Sequence, residues 1–134
     1  MSSAVEDKDA IREVLAEYCF RLDADRFAEM AALFTEDGTW DTAFGEATGR
    51  EAIAELARSI SARWKGTHRA VHQVSNIVIK LDGARAEVRS NWVAVQNSSD
   101  GPKIGSGGAY ADEMAKSDGT WRFRLRTIDL FIAE

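Results

Sequence analysis

Few side chains in this sequence could do chemistry, and their spacing limits what that chemistry is. His68 and His72 stand four apart, the separation of paired zinc ligands on a helix. They follow a glycine stop at Gly66 and run into β-branched residues. In a strand, four residues span roughly 13 Å, too far to share one ion. No metal site is expected, and His68 reads as an exposed loop residue. Asp23 and Asp25 lie two apart in RLDADRF, between two apolar helical patterns. Either could cap a helix, or one could be kept for chemistry. Gly105 to Tyr110 imitates a phosphate loop, but Tyr110 replaces the third glycine and no helix follows. The glycines read instead as a strand bulge or a close approach. Arg122, Arg124 and Arg126 alternate and so share a strand face. The first two read as a solvent or dimer-facing stripe, and Arg126 is open between that and a binding role.

The elements that must position these residues fall into two halves. Ile11, Val14, Leu15, Tyr18 and Leu22 make one apolar helical stripe, which the single cysteine, Cys19, continues as a core residue. Phe27, Met30, Ala31 and Phe34 repeat it in a shorter helix closed by Glu36-Asp37-Gly38. Asp25 sits where the N-cap of that helix belongs. Residues 39–44 suit a short strand. A third helix is expected from the capping-box spacing of Thr48 and Glu51, with Ile53, Leu56, Ile60 and Trp64 as its stripe. From Val71 the texture becomes strand: VHQVSNIVIKLD, AEVRSNWVAVQ, KIGSGGAYADEMAK and TWRFRLRTIDLFI. Asp82-Gly83, Ser99 to Pro102 and Asp118-Gly119 separate them, which predicts an antiparallel meander. Helices followed by strands imply an α+β domain spanning 1–134.

At 134 residues, with 45% apolar and 29% charged residues, the chain suits one ordinary globular core. A net charge of -5 argues against nucleic acid and anionic membrane surfaces as partners. No apolar run approaches the roughly 18 residues of a membrane span, and the acidic start is unlike a signal peptide, so a cytoplasmic location is expected.

Leu22-Asp23-x-x-Arg26-Phe27, Leu33-Phe34-x-x-Asp37-Gly38-x-Trp40, Gly49-Arg50-x-x-Ile53 and His72-x-x-x-Asn76 occur in order. Gly107-Gly108-x-Tyr110-x-Asp112 and Asp118-Gly119-x-Trp121-Arg122-Phe123 follow them. Together these resemble the SnoaL-like branch of the NTF2-like superfamily over essentially the whole chain. The resemblance implies a cone of three N-terminal helices packed on a strongly bent, mainly antiparallel sheet. Scytalone dehydratase, hexachlorocyclohexane dehydrochlorinase and bile-acid 7α-dehydratase look nearest. All three use an Asp ending the first helix and a His entering the long sheet, positions that fall here on Asp23 and His72. The bile-acid enzyme further implies Tyr18 and Arg126. Asn91 stands where scytalone dehydratase has a second His, and Gly108 and Tyr110 where it has Ser and Asn. Dehydration of that enzyme's own substrate is therefore not expected.

The implied activity is a cofactor-independent elimination or isomerisation of a small hydrophobic cyclic molecule. Neutral His can take a proton near neutral pH, and a carboxylate on its other nitrogen fixes the tautomer. Tyr18, Asn91, Tyr110 and Arg126 are candidates to hydrogen-bond the substrate. Trp40, Phe44, Phe20, Leu33 and Trp64 are candidate apolar walls. Five residues on an ideal helix put Tyr18 and Asp23 about 140° apart, so sharing a pocket requires the helix to end near Leu22. A homodimer through the sheet is expected, with Val88 and Trp92 as possible contributors. The second reading is a non-catalytic ligand-binding or partner-scaffolding domain, including a small dioxygenase subunit.

Overall fold

Ser3 supplies the first helix with its cap. In the computed structural model, which describes residues 2–63 and 69–133, Ser3 Oγ accepts the Glu6 amide and Glu6 Oε1 accepts the Ser3 amide. This reciprocal box opens α1, Ala4–Asp23, whose buried face is Ile11, Leu15, Tyr18 and Cys19. One turn in, Asp7 Oδ1 accepts from Ser2 Oγ at 2.7 Å, Lys116 Nζ at 2.9 Å and Trp121 Nε1 at 3.1 Å. The Ser2, Lys116 and Trp121 bonds hold the Asp7 carboxyl down at about 2, and they fasten the start of α1 to the end of the sheet.

The far end of α1 corrects the expected role of Asp25. The Arg26 amide donates to Arg21 O and the Asp25 amide to Leu22 O, the paired bonds of a Schellman stop. Asp25 occupies its left-handed position, with φ 58°, which Asp tolerates better than most residues. The N-cap of α2, Phe27–Ala31, is Arg26, with no side-chain cap bond. Asp25 therefore ends the first helix rather than starting the second. Its carboxylate accepts Ser61 Oγ of the third helix at 3.3 Å.

Helix α2 is shorter than its apolar stripe predicts. Phe34 already belongs to strand β1, Phe34–Thr42, where it pairs with Phe123. The register slips between Phe34 and Thr39. Gly38, expected as a turn, lies there because a Cβ would press on Phe123 O and Phe34. A short strand β2, Gly45–Thr48, follows. Helix α3, Arg50–Ala62, is capped by Gly49 without a side-chain bond. Thr48 does not form the expected capping box, because its hydroxyl is bonded to Thr39 across the β1–β2 pair. Trp64, Gly66 and His68 lie outside the described residues.

Strands β3, Ala70–Asp82, β4, Arg85–Gln96, β5, Lys103–Ser117, and β6, Thr120–Ala133, form the predicted meander. The sheet order is β2-β1-β6-β5-β4-β3, and β1 runs parallel to β6, so this α+β sheet is mixed. Asp118 and Gly119 both have positive φ in the β5–β6 turn, as a tight right-twisting hairpin demands. The helices pack over one face, burying Val88, Trp92, Tyr110, Met114, Trp121 and Phe123 beneath them. Val88 and Trp92 thus belong to the core and not to an outer dimer face. No helix among the described residues is long and apolar enough to cross a membrane.

Replacing Asp25 with glycine relieves the left-handed backbone at the helix stop. Asp25→Gly should raise stability to urea by up to about 1 kcal/mol. A loss of stability would show that the Ser61 bond to the Asp25 carboxylate outweighs the backbone relief.

Candidate functional site

The Schellman stop leaves Asp23 as the last helical residue of α1, facing edge strand β3. Its Oδ1 lies 2.6 Å from His72 Nδ1 and its Oδ2 accepts the His72 backbone amide at 2.9 Å. One carboxylate therefore holds both the ring and the main chain of the same residue. Both side chains are largely covered yet reach solvent, at 16% exposure for Asp23 and 20% for His72. A carboxylate on Nδ1 selects the tautomer in which Nδ1 carries the proton and Nε2 the lone pair. Nε2 has no protein partner among the described residues.

The His72 ring stacks on Trp92 at 5.8 Å between centroids, and Trp92 stacks on Tyr110 at 5.8 Å. Tyr110 meets Tyr18 edge-on, and Trp40 Nε1 donates to the Tyr18 hydroxyl at 3.1 Å. A chain of rings thus runs from the Asp23–His72 pair into the core. Helix α1 ends at Asp23, one residue past Leu22. Tyr18 faces the core and Asp23 faces β3.

At the inner end of this chain the Arg126 guanidinium lies 3.6 Å from the Tyr110 ring centroid, 4.2 Å from Tyr18 and 4.5 Å from Phe123. Asp112 on the neighbouring strand accepts from Nε at 2.9 Å and Nη2 at 3.3 Å. Plain alternation would put Arg126 outside with Arg124. A register shift opposite Glu113 and Met114 inserts Arg124 as an extra residue and turns Arg126 inward. Burial raises the Asp112 carboxyl, with Arg126 opposing it. Burial pulls the Arg126 guanidinium down, but Asp112 and the two tyrosines outweigh it and keep the cation charged. Burial likewise lifts both tyrosine hydroxyls, and it pushes the Cys19 thiol up to about 11, leaving it protonated and unreactive near neutrality.

Three expected site residues lie elsewhere. Asn91 faces outward because its neighbour Trp92 faces inward. It accepts from Asn76 at 3.0 Å and donates to Gly108 O at 3.2 Å. On β4, Ala94 is paired with His72, and the ring that stacks on it is that of Trp92, one residue along from the position expected to matter. Phe44 is exposed on the β1–β2 turn, under the Arg63 guanidinium. Phe20 is exposed on the outer side of α1. Leu33 and Trp40 are buried in the core. Trp92, expected at a dimer face, and Asp112, expected only as part of the family pattern, both belong to this cluster. The Gly108-x-Tyr110-x-Asp112 alternation was the available signal for Asp112, since it puts all three on one face. Two concavities, one beside Lys80, Arg85 and Glu113 and one beside Gly49 and Glu51, lie away from His72. No three His, Cys, Asp or Glu among the described residues are grouped to hold a metal ion.

The SnoaL-like domain pattern matches residues 3–127. The chain belongs to the SnoaL-like family. This SnoaL-like chain is similar to a solved Novosphingobium aromaticivorans protein provisionally assigned as a scytalone dehydratase. They share 30% identity over 96% of this chain and 86% of that one, with a TM-score of 0.79. It is also similar to an NTF2-like protein with a cystatin-like fold from the same species, at 25% identity over 92% and 80% of the two chains and a TM-score of 0.82. A third likeness is to the beta subunit of a provisionally assigned aromatic-ring-hydroxylating dioxygenase of that species. At 23% identity over 98% and 93% of the chains, with a TM-score of 0.82, it shows the fold alone. No curated protein matches the chain.

Asp112→Asn should leave Arg126 charged and unpaired in the core and cost about 3–5 kcal/mol of unfolding free energy in urea. The double replacement Asp112→Leu with Arg126→Met should cost much less than the sum of the two singles. Additive losses would show that the two residues do not act as a pair.

Proposed function

We propose that this SnoaL-like protein is a cofactor-independent lyase or isomerase acting on a small hydrophobic cyclic molecule, with His72 as the base and Asp23 as its positioning partner. The observation that carries the reading is the carboxylate clamp on His72, which engages Nδ1 and leaves Nε2 with no partner among the described residues. In an elimination, Nε2 takes a proton from carbon. The C–H electron pair becomes the new double bond, and the group on the next carbon leaves with its bonding electrons. In an isomerisation, the same proton returns to a different carbon. The imidazolium formed in either case is stabilised by the Asp23 carboxylate against Nδ1–H. The aromatic chain behind the pair supplies an apolar environment suited to a ring-containing substrate. Likeness to a provisionally assigned scytalone dehydratase supports the same class of chemistry.

The test is turnover of a panel of cyclic β-hydroxy and β-halo compounds. His72→Ala should lower kcat at least about 100-fold while changing ligand affinity only a few-fold. Asp23→Asn keeps the shape but gives Nδ1–H a poorer acceptor, and it should act in the same direction. Turnover that survives both substitutions overturns the mechanism. Ligand binding without turnover of any panel member favours a binding domain.

The proposal includes a homodimer through the outer sheet face, where Val71, Val78, Ile104 and Ile132 are exposed. Val71 pairs with Val95, and Val95 with Ile104, making an apolar row across three strands. Sedimentation should report a dimer that Ile104→Asp converts to monomer. A wild-type monomer at micromolar concentration would refute this assembly.

A further inference from the structure

His72 and Ile79 lie seven residues apart on β3, an odd separation that would put them on opposite faces of a regular strand. Yet both face the helices. Ile79 is buried, and the His72 ring meets Asp23 of α1 and Trp92 of the inner face. The register explains how. Ser75 pairs with Asn91 and Val78 with Arg89, so Asn76 and Ile77 together stand opposite Ser90. One residue is inserted, and the alternation is reset between His72 and Ile79. Without that insertion, a strand that kept Ile79 inside would carry Val71 and Gln73 inward. His72 would then turn out to solvent, away from Asp23.

Asn76 makes the insertion. Its φ of 54° is left-handed, a conformation that glycine supplies in one class of bulge and that Asn tolerates better than most side chains. Its side-chain amide is engaged as well. Asn76 Nδ2 donates to Asn91 Oδ1 at 3.0 Å, and Asn91 Nδ2 donates to Gly108 O at 3.2 Å. Gly108 stands at a second register break, where Phe131 is the inserted residue of β6. An amide bracket on the outer face thus joins two irregularities across β3, β4 and β5. Both asparagines are exposed, so the bracket adds nothing to the core. We propose that Asn76 is a positioning residue for His72. Its left-handed backbone inserts the residue that turns the histidine towards Asp23, and its bond to Asn91 holds the insertion in register. The catalytic consequence rests on the reading of His72 as the base, whereas the geometric one does not.

The experiment reads His72 without a substrate. In nitrogen-15-labelled protein, hydrogen exchange at the His72 amide reports its bond to Asp23, and the ring nitrogens report which of them carries the proton. His72→Ala assigns the ring signals between the two histidines. Asn76→Gly keeps the left-handed backbone and loses the amide, Asn91→Ala removes the bracket alone, and Asn76→Val opposes the conformation itself. Relative to the Phe123 amide, which is bonded to Leu33 O, Asn76→Val should speed His72 exchange about tenfold. It should also replace the Nδ1–H form of the ring by a mixture of tautomers. Asn76→Gly and Asn91→Ala should each speed exchange only about threefold and leave Nδ1 protonated. His72 exchange that is unchanged in Asn76→Val, or that rises only in step with Phe123, would overturn the proposal, as would a glycine variant no better than valine. Should Asn76→Val fail to fold, unchanged His72 exchange in both Asn76→Gly and Asn91→Ala overturns it. On any compound the wild type turns over, Asn76→Val should lower kcat about tenfold with KM within about twofold, and Asn76→Gly should restore most of the loss. If exchange responds and turnover does not, the base assignment fails and the Asn76 assignment stands.

Discussion

Everything around His72 depends on one carboxylate at the end of a helix. Asp23 can clamp the edge strand only because α1 stops immediately after it, and the stop requires a residue in the left-handed conformation at position 25. A helix continued by one more turn would carry the chain past β3. Glycine is the usual solution at such a stop, yet the chain has Asp25, whose carboxylate also receives Ser61 from α3. Two neighbouring acids therefore do separate jobs. Asp25 fixes where the helix ends and what it touches, and Asp23 uses that position to fix a histidine ring and its backbone together.

The second determinant is which way each strand faces. A β-strand alternates strictly, so one inserted residue moves everything beyond it to the other face. Strand β3 is irregular between Ser75 and Val78, with Asn76 at φ 54°. Past it, Ile79 is buried while Val78 is exposed. In β6 the insertion at Arg124 brings Arg126 inside. Gly108 allows a third such adjustment, since a Cβ there would collide with the Asp129 carbonyl. These irregularities, more than strand composition, decide which polar side chains enter the core.

That distinction explains what could be read from the residues. The four long strands are plain because β-branched runs alternate with turn residues, and α1 is plain because its stripe is long. The family motifs place Asp23 and His72 in facing elements. Position along a strand does not reveal its inward face, and Asn91 and Trp92 are consecutive residues of which only Trp92 lies beside His72. Likewise, Thr48 and Glu51 have capping-box spacing, but Thr48 is committed to Thr39 in the sheet. The same motif at Ser3 and Glu6 forms because no strand competes there. Local signals fail where a tertiary partner takes the group they rely on.

The buried Arg126–Asp112 pair gives the interior its polarity. Removing a guanidinium and a carboxylate from water is expensive, and a bidentate pair offsets that only with good geometry. The two bonds to Asp112 and the three surrounding rings supply it, since a guanidinium can stack on aromatic faces without surrendering its in-plane donors. The Tyr110 ring belongs both to this cage and to the stack that reaches His72 through Trp92. Packing demands at the cation thus constrain Tyr110, Tyr110 constrains the plane of Trp92, and Trp92 bears on the face of the histidine that Asp23 holds by its nitrogen. The ring is fixed by a hydrogen bond at its edge and by stacking on its face, which is what orientation of Nε2 requires.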